Sequence, residues 1–416
     1  MYKRKLYGLI GLVLAGLVLL WGVGQVLAKG ENPQTPEQRK ITQADRQAAA
    51  ERADAAGFEL ETPGTAAMPM PGTAPHYFSH PNYANSPLPG NIVAEWNAIA
   101  QDILQPAPMP GMPMPMGGTS MSAAFVHLSY VQAAVYNALV AIEGGYAPYN
   151  STLTADPAAS RDAAVATAAY GVLNHYFPSA ILTGKYAASL AAIPDSTAKT
   201  NGITVGQAAA DEIIVLRSGD VLNGNGGYTV PAPGPGVWES TMTPPEPPVD
   251  PWMAVLTPFL RTLPDQYRPV PPPTLDSLEY ATDLNEVKDI GSAMSMTRTA
   301  AQTEVARFWT TNMVIQTNAA YRQQAANRGL GLLDTARLMA MGNMAATDSL
   351  IATFDAKYFY NLWRPVTAIR KADTDNNPAT VADPMWMPLV MTPNFPEYVA
   401  GHGSFISAQA EVYTQI

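Results

Sequence analysis

Cysteine is missing from all 416 residues of this chain. That excludes disulfides and thiolate metal sites, and it suits an oxidising compartment and an oxidant-handling protein. Charge is also scarce. Only 14% of residues are Asp, Glu, Lys or Arg, and the net charge is −10. A nucleic-acid partner wants a basic surface, so this composition argues against one. Histidine occurs five times, and no Gly-x-Gly-x-x-Gly or Walker-type loop is present. No run alternates apolar and polar residues as a strand would. What is abundant is apolar residue, Pro and Gly: 47% hydrophobic, 38 Pro and 31 Gly. Such a chain buries a large core and separates its helices by long irregular connections.

The chain begins with a targeting segment at residues 1–28. Lys3, Arg4 and Lys5 form a basic start, Leu6 to Val23 is apolar, and Val26-Leu27-Ala28 supplies a cleavage site. An uncleaved signal anchor is the alternative, because an 18-residue apolar run is borderline for spanning. Either way the remainder is expected outside the cytoplasm, secreted or periplasmic, with a membrane contact only through residues 6–23 if uncleaved. Residues 29–90 read as mostly disordered and rich in Pro and Met, with a short helix over Glu37 to Glu61. Its His76 and His80 read as surface residues. A second Pro/Met tract, Pro106 to Met116, has thioethers dense enough for Cu(I) but reads as an extended loop.

From Asn91 onward helical spacing takes over. The pattern predicts helices over Asn91–Gln105, Ser120–Glu143, Ser160–Tyr176, Ser179–Ala192 and Thr204–Ser218. After a long Gly/Pro loop from Asp220 to Pro273, it predicts Ser277–Ser292, Ala300–Gly329, and Gly331–Phe354 continuing through Trp363. Trp238, Trp252 and Phe259 are expected to pin the long loop to the helices. His127 reads as a satisfied core histidine, and His175 as a residue meeting the last carbonyls of its helix. The fold class is all-α, one large helical domain over residues 91–416 with long Pro/Gly-rich loops.

The chemistry lies between Lys357 and Ser404. Lys357 and Arg364 are seven residues apart, two helical turns, so one helix would project both from the same face. Tyr358, Phe359, Tyr360, Leu362 and Trp363 between them are too apolar for a solvated surface. Two cations converging in such a setting need an anion. Arg supplies a planar fork for an oxyanion and Lys a point charge. Pro365 disfavours helix at Arg364, so the helix is expected to end there. Farther on, Gly401 permits close backbone approach. The run after it places Gly401 to Ser404 at a helix N-terminus, where free N–H groups favour anions. His402 is the acid/base candidate there. Taken singly, the Lys/Arg pair is an ordinary solvated face and the Gly-His pair an ordinary turn.

Together they resemble a family. Lys-x6-Arg-Pro followed by Pro396-Glu-Tyr-Val-Ala-Gly-His402 resembles the vanadium-dependent haloperoxidases, which share an active-site architecture with the phosphatidic acid phosphatase type 2 superfamily. Thr297-Arg-Thr-Ala-Ala-Gln-Thr-Glu304, Arg307-Phe-Trp309 and the helix around Val126 to Tyr136 resemble its bacterial branch. The resemblance implies a helical-bundle fold and a vanadate site that phosphate can also occupy. Lys357, Arg364, Ala400, Gly401 and His402 would hold the oxyanion, and Phe395 and Phe354 would wall a halide pocket. Hydrogen peroxide, halide and a small organic substrate are the implied partners. In two respects the chain departs from the family. Ala400 stands where a Ser hydroxyl usually bonds the oxyanion. The third motif, an Arg followed by the vanadium-ligating His, is expected beyond Ile416, so the sequence reads as a C-terminally truncated and inactive fragment of an enzyme. An acid phosphatase on the same scaffold and a non-catalytic secreted homologue remain open alternatives.

Overall fold

The computed structural model describes residues 91–106 and 118–416. The targeting segment, residues 29–90 with His76 and His80, and the Met-rich tract after Pro106 lie outside the described residues. The described part is helical. It contains no strand, only isolated antiparallel bridges between Val237 and Leu362 and between Ser292 and Pro388.

Side-chain caps set most helix starts. Asn91 accepts from the Ala94 amide and opens α1 (Ile92–Leu104). Ser120 caps α2 (Met121–Glu143), Ser160 caps α3 (Arg161–Tyr176), and Ser179 caps α4 (Ala180–Ala191). Each hydroxyl satisfies an amide that the first turn leaves free. These four helices fall where the spacing puts them. The fifth does not: α5 runs Thr197–Leu216, seven residues earlier than predicted, because Ser196 caps it. Gly202 and Gly206 look like helix breakers in the sequence. Here they are contact points, since a Cβ on Gly206 would lie 2.4 Å from the Ala164 carbonyl oxygen. The close backbone approach of α3 and α5 outweighs the low helix propensity of Gly.

Beyond the long loop come α6 (Leu278–Ile290), α7 (Ala300–Trp309), α8 (Met313–Arg328) and α9 (Leu332–Tyr360). The single helix expected over 300–329 is thus two. Thr310 and Thr311 turn their hydroxyls onto the Arg307 and Phe308 carbonyls, each at 2.8 Å. Asn312 then caps α8 through the Val314 and Ile315 amides. Short polar side chains have competed with the helix for its own backbone.

Long helices α2 and α9 form the centre. Helix α2 is long and apolar enough to cross a membrane by length and composition. It is instead buried along its length, in contact with α1, α3, α5 and α9. Helix α9 also packs on α8 and on the last helix, α11 (Gly401–Gln415). At Gly342 of α9 a Cβ would meet the Tyr321 ring at 2.4 Å, so only Gly lets α8 seat that ring. A satellite cluster of Tyr280, Leu284, Trp363, Ile369 and Trp386 joins α6 to the short α10 (Pro365–Arg370).

The 220–273 loop is strapped to α9, and Trp238, Trp252 and Phe259 are all buried as expected. Asp348 of α9 accepts from the Phe259, Leu260 and Arg261 amides at 2.6, 2.8 and 3.2 Å. Two turns along, Asp355 holds Arg268 by two 2.7 Å bonds. The loop is not wholly irregular: Pro251–Val255 is a 3-10 turn packed on α9.

Two histidine expectations need correction. His127 is buried in α2, 6% exposed, but its Nδ1 is fully enclosed without a hydrogen-bond partner. It packs among Tyr130, Tyr176 and Phe177, whose rings offer contact without acceptors. His175 is exposed and lies edge-on to Tyr176 rather than bonding the end of α3.

Candidate functional site

Lys357 and Arg364 do not share a helix. Helix α9 ends at Tyr360, where Asn361 adopts a left-handed conformation at φ 52° and its side-chain amide donates to the Tyr358 carbonyl at 2.6 Å. Asn tolerates this region well and closes helices there. The helix expected to continue through Trp363 stops three residues short of it, and Pro365 instead opens α10, its fixed φ suiting a first helical turn. The chain between is extended and clamped. The Trp238 amide donates to the Asn361 carbonyl at 2.7 Å and the Trp363 amide to the Gly236 carbonyl at 2.9 Å. Trp363 is buried in the satellite cluster, which fixes the segment that presents Arg364.

The two cations converge all the same. The Lys357 ammonium and the Arg364 guanidinium each lie 5.1 Å from the centroid of one ring, Phe395. Both are buried, at 2% and 8% exposure. Phe354, one turn before Lys357, stacks obliquely on Phe395 at 5.5 Å. The two aromatic walls and the two cations expected from the sequence are therefore one cluster.

Asn394 positions Phe395. Its side-chain amide donates to the Glu246 and Pro247 carbonyls, and its oxygen accepts from the Ser240 hydroxyl and the Thr241 amide. The long loop and the 393–400 turn are thereby one piece. The turn leads into α11, whose first residue is Gly401 as expected. Ala400 stands at the cap position and offers no side-chain acceptor. Ser404 is the first residue whose amide bonds back, to the Ala400 carbonyl at 3.2 Å. The Gly401, His402 and Gly403 amides are left for a ligand or water.

Nothing in the sequence pattern points to Glu397 or Thr353, yet both belong to the cluster. Arg364 donates to the Glu397 carboxylate at 2.5 Å. Lys357 donates to the Pro396 and Glu397 carbonyls at 3.0 and 2.7 Å. The anion that two buried cations require is thus supplied from within the chain, by a side chain that is 38% exposed. Arg364 keeps one unmet donor, since its Nε is buried without an acceptor. Thr353 on α9 lies under Gly401, where a Cβ would meet its methyl at 3.8 Å. Its hydroxyl is buried and unpartnered. A Thr at this place in a helix reads as core filling, so only the packing of α9 on α11 exposes its position.

Burial governs the titration of these groups. It drives Lys357 down to about 7; the Glu397 charge opposes this and the Arg364 charge adds to it. Arg364 is lowered by burial, against the pull of Glu397. His402 is reached by solvent, but its ring packs on Phe405 at 5.5 Å. Partial desolvation lowers its pKa, the Trp309 backbone raises it, and the Lys357 charge lowers it again. A neutral imidazole at the mouth of a cationic cluster can take up a proton. Among the described residues no group of three or more His, Asp or Glu is placed to hold a metal ion.

Parts of this chain are similar to known proteins. The profile of the vanadium chloroperoxidase (VCPO) second helical-bundle domain matches residues 337–416, which include every residue of the cluster. The vanadium chloroperoxidase of Curvularia inaequalis is 30% identical over 93 residues, which are 20% of this chain and 15% of that protein. Among solved structures, a bacterial vanadium-dependent iodoperoxidase superposes with a TM-score of 0.56 at 21% identity, covering 75% of each chain. The holo form of a bacterial vanadium-dependent chloroperoxidase gives 0.56 at 16% identity, covering 71% of this chain and 76% of that one.

Proposed function

We propose that residues 337–416, which match the vanadium chloroperoxidase second helical-bundle domain, build the oxyanion-binding side of a vanadate-dependent haloperoxidase. The observation that carries the reading is the convergence of Lys357 and Arg364 on the Phe395 ring. The donor set fits a tetrahedral oxyanion. The orphaned Arg364 Nε wants an acceptor, and the three free amides of α11 supply further donors. Glu397 must then exchange its bond to Arg364 for the incoming oxyanion.

When bound, vanadate supplies activation of hydrogen peroxide toward halide. This chain's own groups do the rest. Arg364 and the Gly401 amide offset the charge of the oxyanion. Lys357 donates a hydrogen bond from a site too dry to hydrate it. His402 Nδ1 or Nε2 takes a proton from peroxide and returns it. Phe395 and Phe354 give a weakly hydrated halide an apolar wall, which suits it better than a charged phosphate ester.

The family's vanadium-ligating His has no counterpart among the described residues of this site. The expectation is therefore oxyanion binding by residues 29–416, with negligible halide turnover. Calorimetry with vanadate and with phosphate, beside a bromide-oxidation assay on a phenol dye, tests both halves. Binding lost in Arg364→Ala, with no bromination, is the expected result. Absence of binding to either oxyanion would remove the reading. For a chain that carries the third motif, bromination that needs both vanadate and peroxide is expected. Vanadate-inhibited p-nitrophenyl phosphate hydrolysis without halide oxidation would assign the site to a phosphatase instead. The basic and apolar N-terminal segment extends the proposal to an exported protein, which cell fractionation checks.

A further inference from the structure

Two Met-x-Met pairs lie far apart in the sequence, Met294-Ser-Met296 and Met385-Trp-Met387. The fold ties their two segments together. Ser292 and Pro388 form an antiparallel bridge, the Ala293 amide donates to the Met387 carbonyl at 2.7 Å, and the Leu389 amide donates to the Gly291 carbonyl at 2.9 Å. Each segment is also anchored from its inner side. Arg298 donates to the Ile290 and Ser292 carbonyls at 2.6 and 2.5 Å. Trp386 is buried, with its indole N–H on the Lys288 carbonyl at 2.9 Å. The methionines on either side of Trp386 point outward instead. Met294, Met296, Met385 and Met387 are all between 60% and 97% exposed.

We propose that this face binds a soft monovalent metal ion of the Cu(I) or Ag(I) class through the thioether sulfurs of Met294, Met296, Met385 and Met387. An apolar side chain so exposed contributes little by burial, but a thioether sulfur is a soft metal ligand, which no other apolar side chain in this chain supplies. Met has three rotatable bonds, so sulfurs on two tied segments can turn onto one ion. The anchored backbones keep the segments from parting, which lowers the cost of gathering the ligands. Asp383, whose carboxylate accepts from the Met385 amide at 3.1 Å, places a negative charge at the start of the second pair, which favours a cation. The site takes no residue from the Lys357–Arg364 cluster, so the inference stands whether or not that cluster binds vanadate.

The test is a titration of the full chain, labelled at the methionine methyls, with Ag(I) in chloride-free buffer. The methyl resonances of Met294, Met296, Met385 and Met387 are expected to move together and to saturate with one equivalent. Met121, exposed at the start of α2, is the internal control and should stay in place. Mg(II), a hard ion, should move none of them. A thioether has no proton to lose, so the affinity should be the same at pH 6 and pH 8, unlike that of a histidine site. Met385→Leu with Met387→Leu alters only exposed side chains, so the melting temperature should hold while Ag(I) binding at this face weakens about tenfold or more. Replacing Met109, Met112, Met114 and Met116 by Leu should leave the four resonances responding as before. Equal shifts at Met121, an affinity unchanged in the Met385, Met387 variant, or loss of the response when the 109–116 methionines are replaced would each overturn the assignment. So would methyl shifts that follow protein concentration rather than Ag(I), which would assign the face to contact between copies of the chain.

Discussion

Glu397 places its carboxylate 2.5 Å from Arg364 while its own backbone carbonyl accepts from Lys357 at 2.7 Å. One residue therefore touches both cations of the cluster. Its carboxylate competes with any incoming oxyanion for the guanidinium. Because Glu397 is more than a third exposed, its pair with Arg364 is screened and cheaper to open than a dry one. The Glu397→Gln variant should bind phosphate or vanadate more tightly, by roughly threefold to tenfold, equivalent to about 0.7–1.4 kcal/mol. Calorimetry reads this directly. Equal or weaker binding would mean that Glu397 holds Arg364 in place rather than occupying the oxyanion's seat.

Lys357 predicts a pH dependence. Its folded pKa is brought down to about 7, chiefly by burial, while the unfolded chain keeps an ordinary lysine. Between about 7 and the ordinary lysine value the unfolded state binds more protons, so this group makes stability rise with pH across that window. Below about 7 both states are protonated and the full desolvation cost, on the order of a few kcal/mol, is present. Oxyanion binding runs the other way because it needs the charged ammonium. Sulfate keeps a constant charge over this range, so its affinity should fall as pH is raised from 6 to 9. Arg364 stays charged across that range. Lys357→Met should lower sulfate affinity and flatten the slope. An unchanged slope in the variant would remove Lys357 from the site.

Asp348 should be the most sensitive attachment of the long loop. It accepts from three successive amides, Phe259, Leu260 and Arg261, and Arg261 returns a bond to the Asp348 carbonyl at 2.7 Å. Asp348→Ala leaves those amides without an acceptor, at a cost of roughly 2–4 kcal/mol. A lowered melting temperature is expected, together with faster amide exchange across 257–268. A melting temperature within a degree of the parent would show that the loop is held by Phe259 and Trp252 packing alone.

Much of this was legible in the sequence where one local signal decided the outcome. Asn91, Ser120, Ser160 and Ser179 announced their helices because capping is a contact among near neighbours. Lys357, Arg364, Phe395 and Gly401 could be assigned to one site because their spacing resembles a known pattern. The route by which they meet was not legible. The end of α9 depends on Asn361 turning left-handed against Trp238, more than a hundred residues earlier. The start of α5 is set by the Ser196 cap, and Gly202 and Gly206, which read alone argue against helix, are where α5 approaches the backbone at and within α3. Thr353 and Glu397 carry no motif signal, since one sits in an apolar helix and the other in a turn. A buried histidine ordinarily finds its partners, and only the rings of Tyr176 and Phe177 packed on His127 show why its Nδ1 does not.

Ala400 gives the last prediction, with two readouts that separate its possible effects. It is the cap residue of α11 and brings no side-chain acceptor to that helix. A Ser there could turn its hydroxyl to the Gly403 amide as an ordinary cap, worth about 1 kcal/mol of stability. It could instead turn toward the cation cluster and bond an oxyanion, where a bond to a charged group is worth roughly 1.5–3 kcal/mol. The two uses compete for one hydroxyl. The local geometry favours the second when an oxyanion is present, since the anion itself takes the free amides that the cap would satisfy. Ala400→Ser should therefore raise the melting temperature slightly without ligand and tighten vanadate about tenfold or more. In the double variant Ala400→Ser, Thr353→Val the tightening should persist, because the new hydroxyl acts on its own. A gain in stability without a gain in affinity would show that the Ser only caps. A gain in affinity abolished by Thr353→Val would show instead that the buried threonine hydroxyl beneath Gly401 is required for the bond.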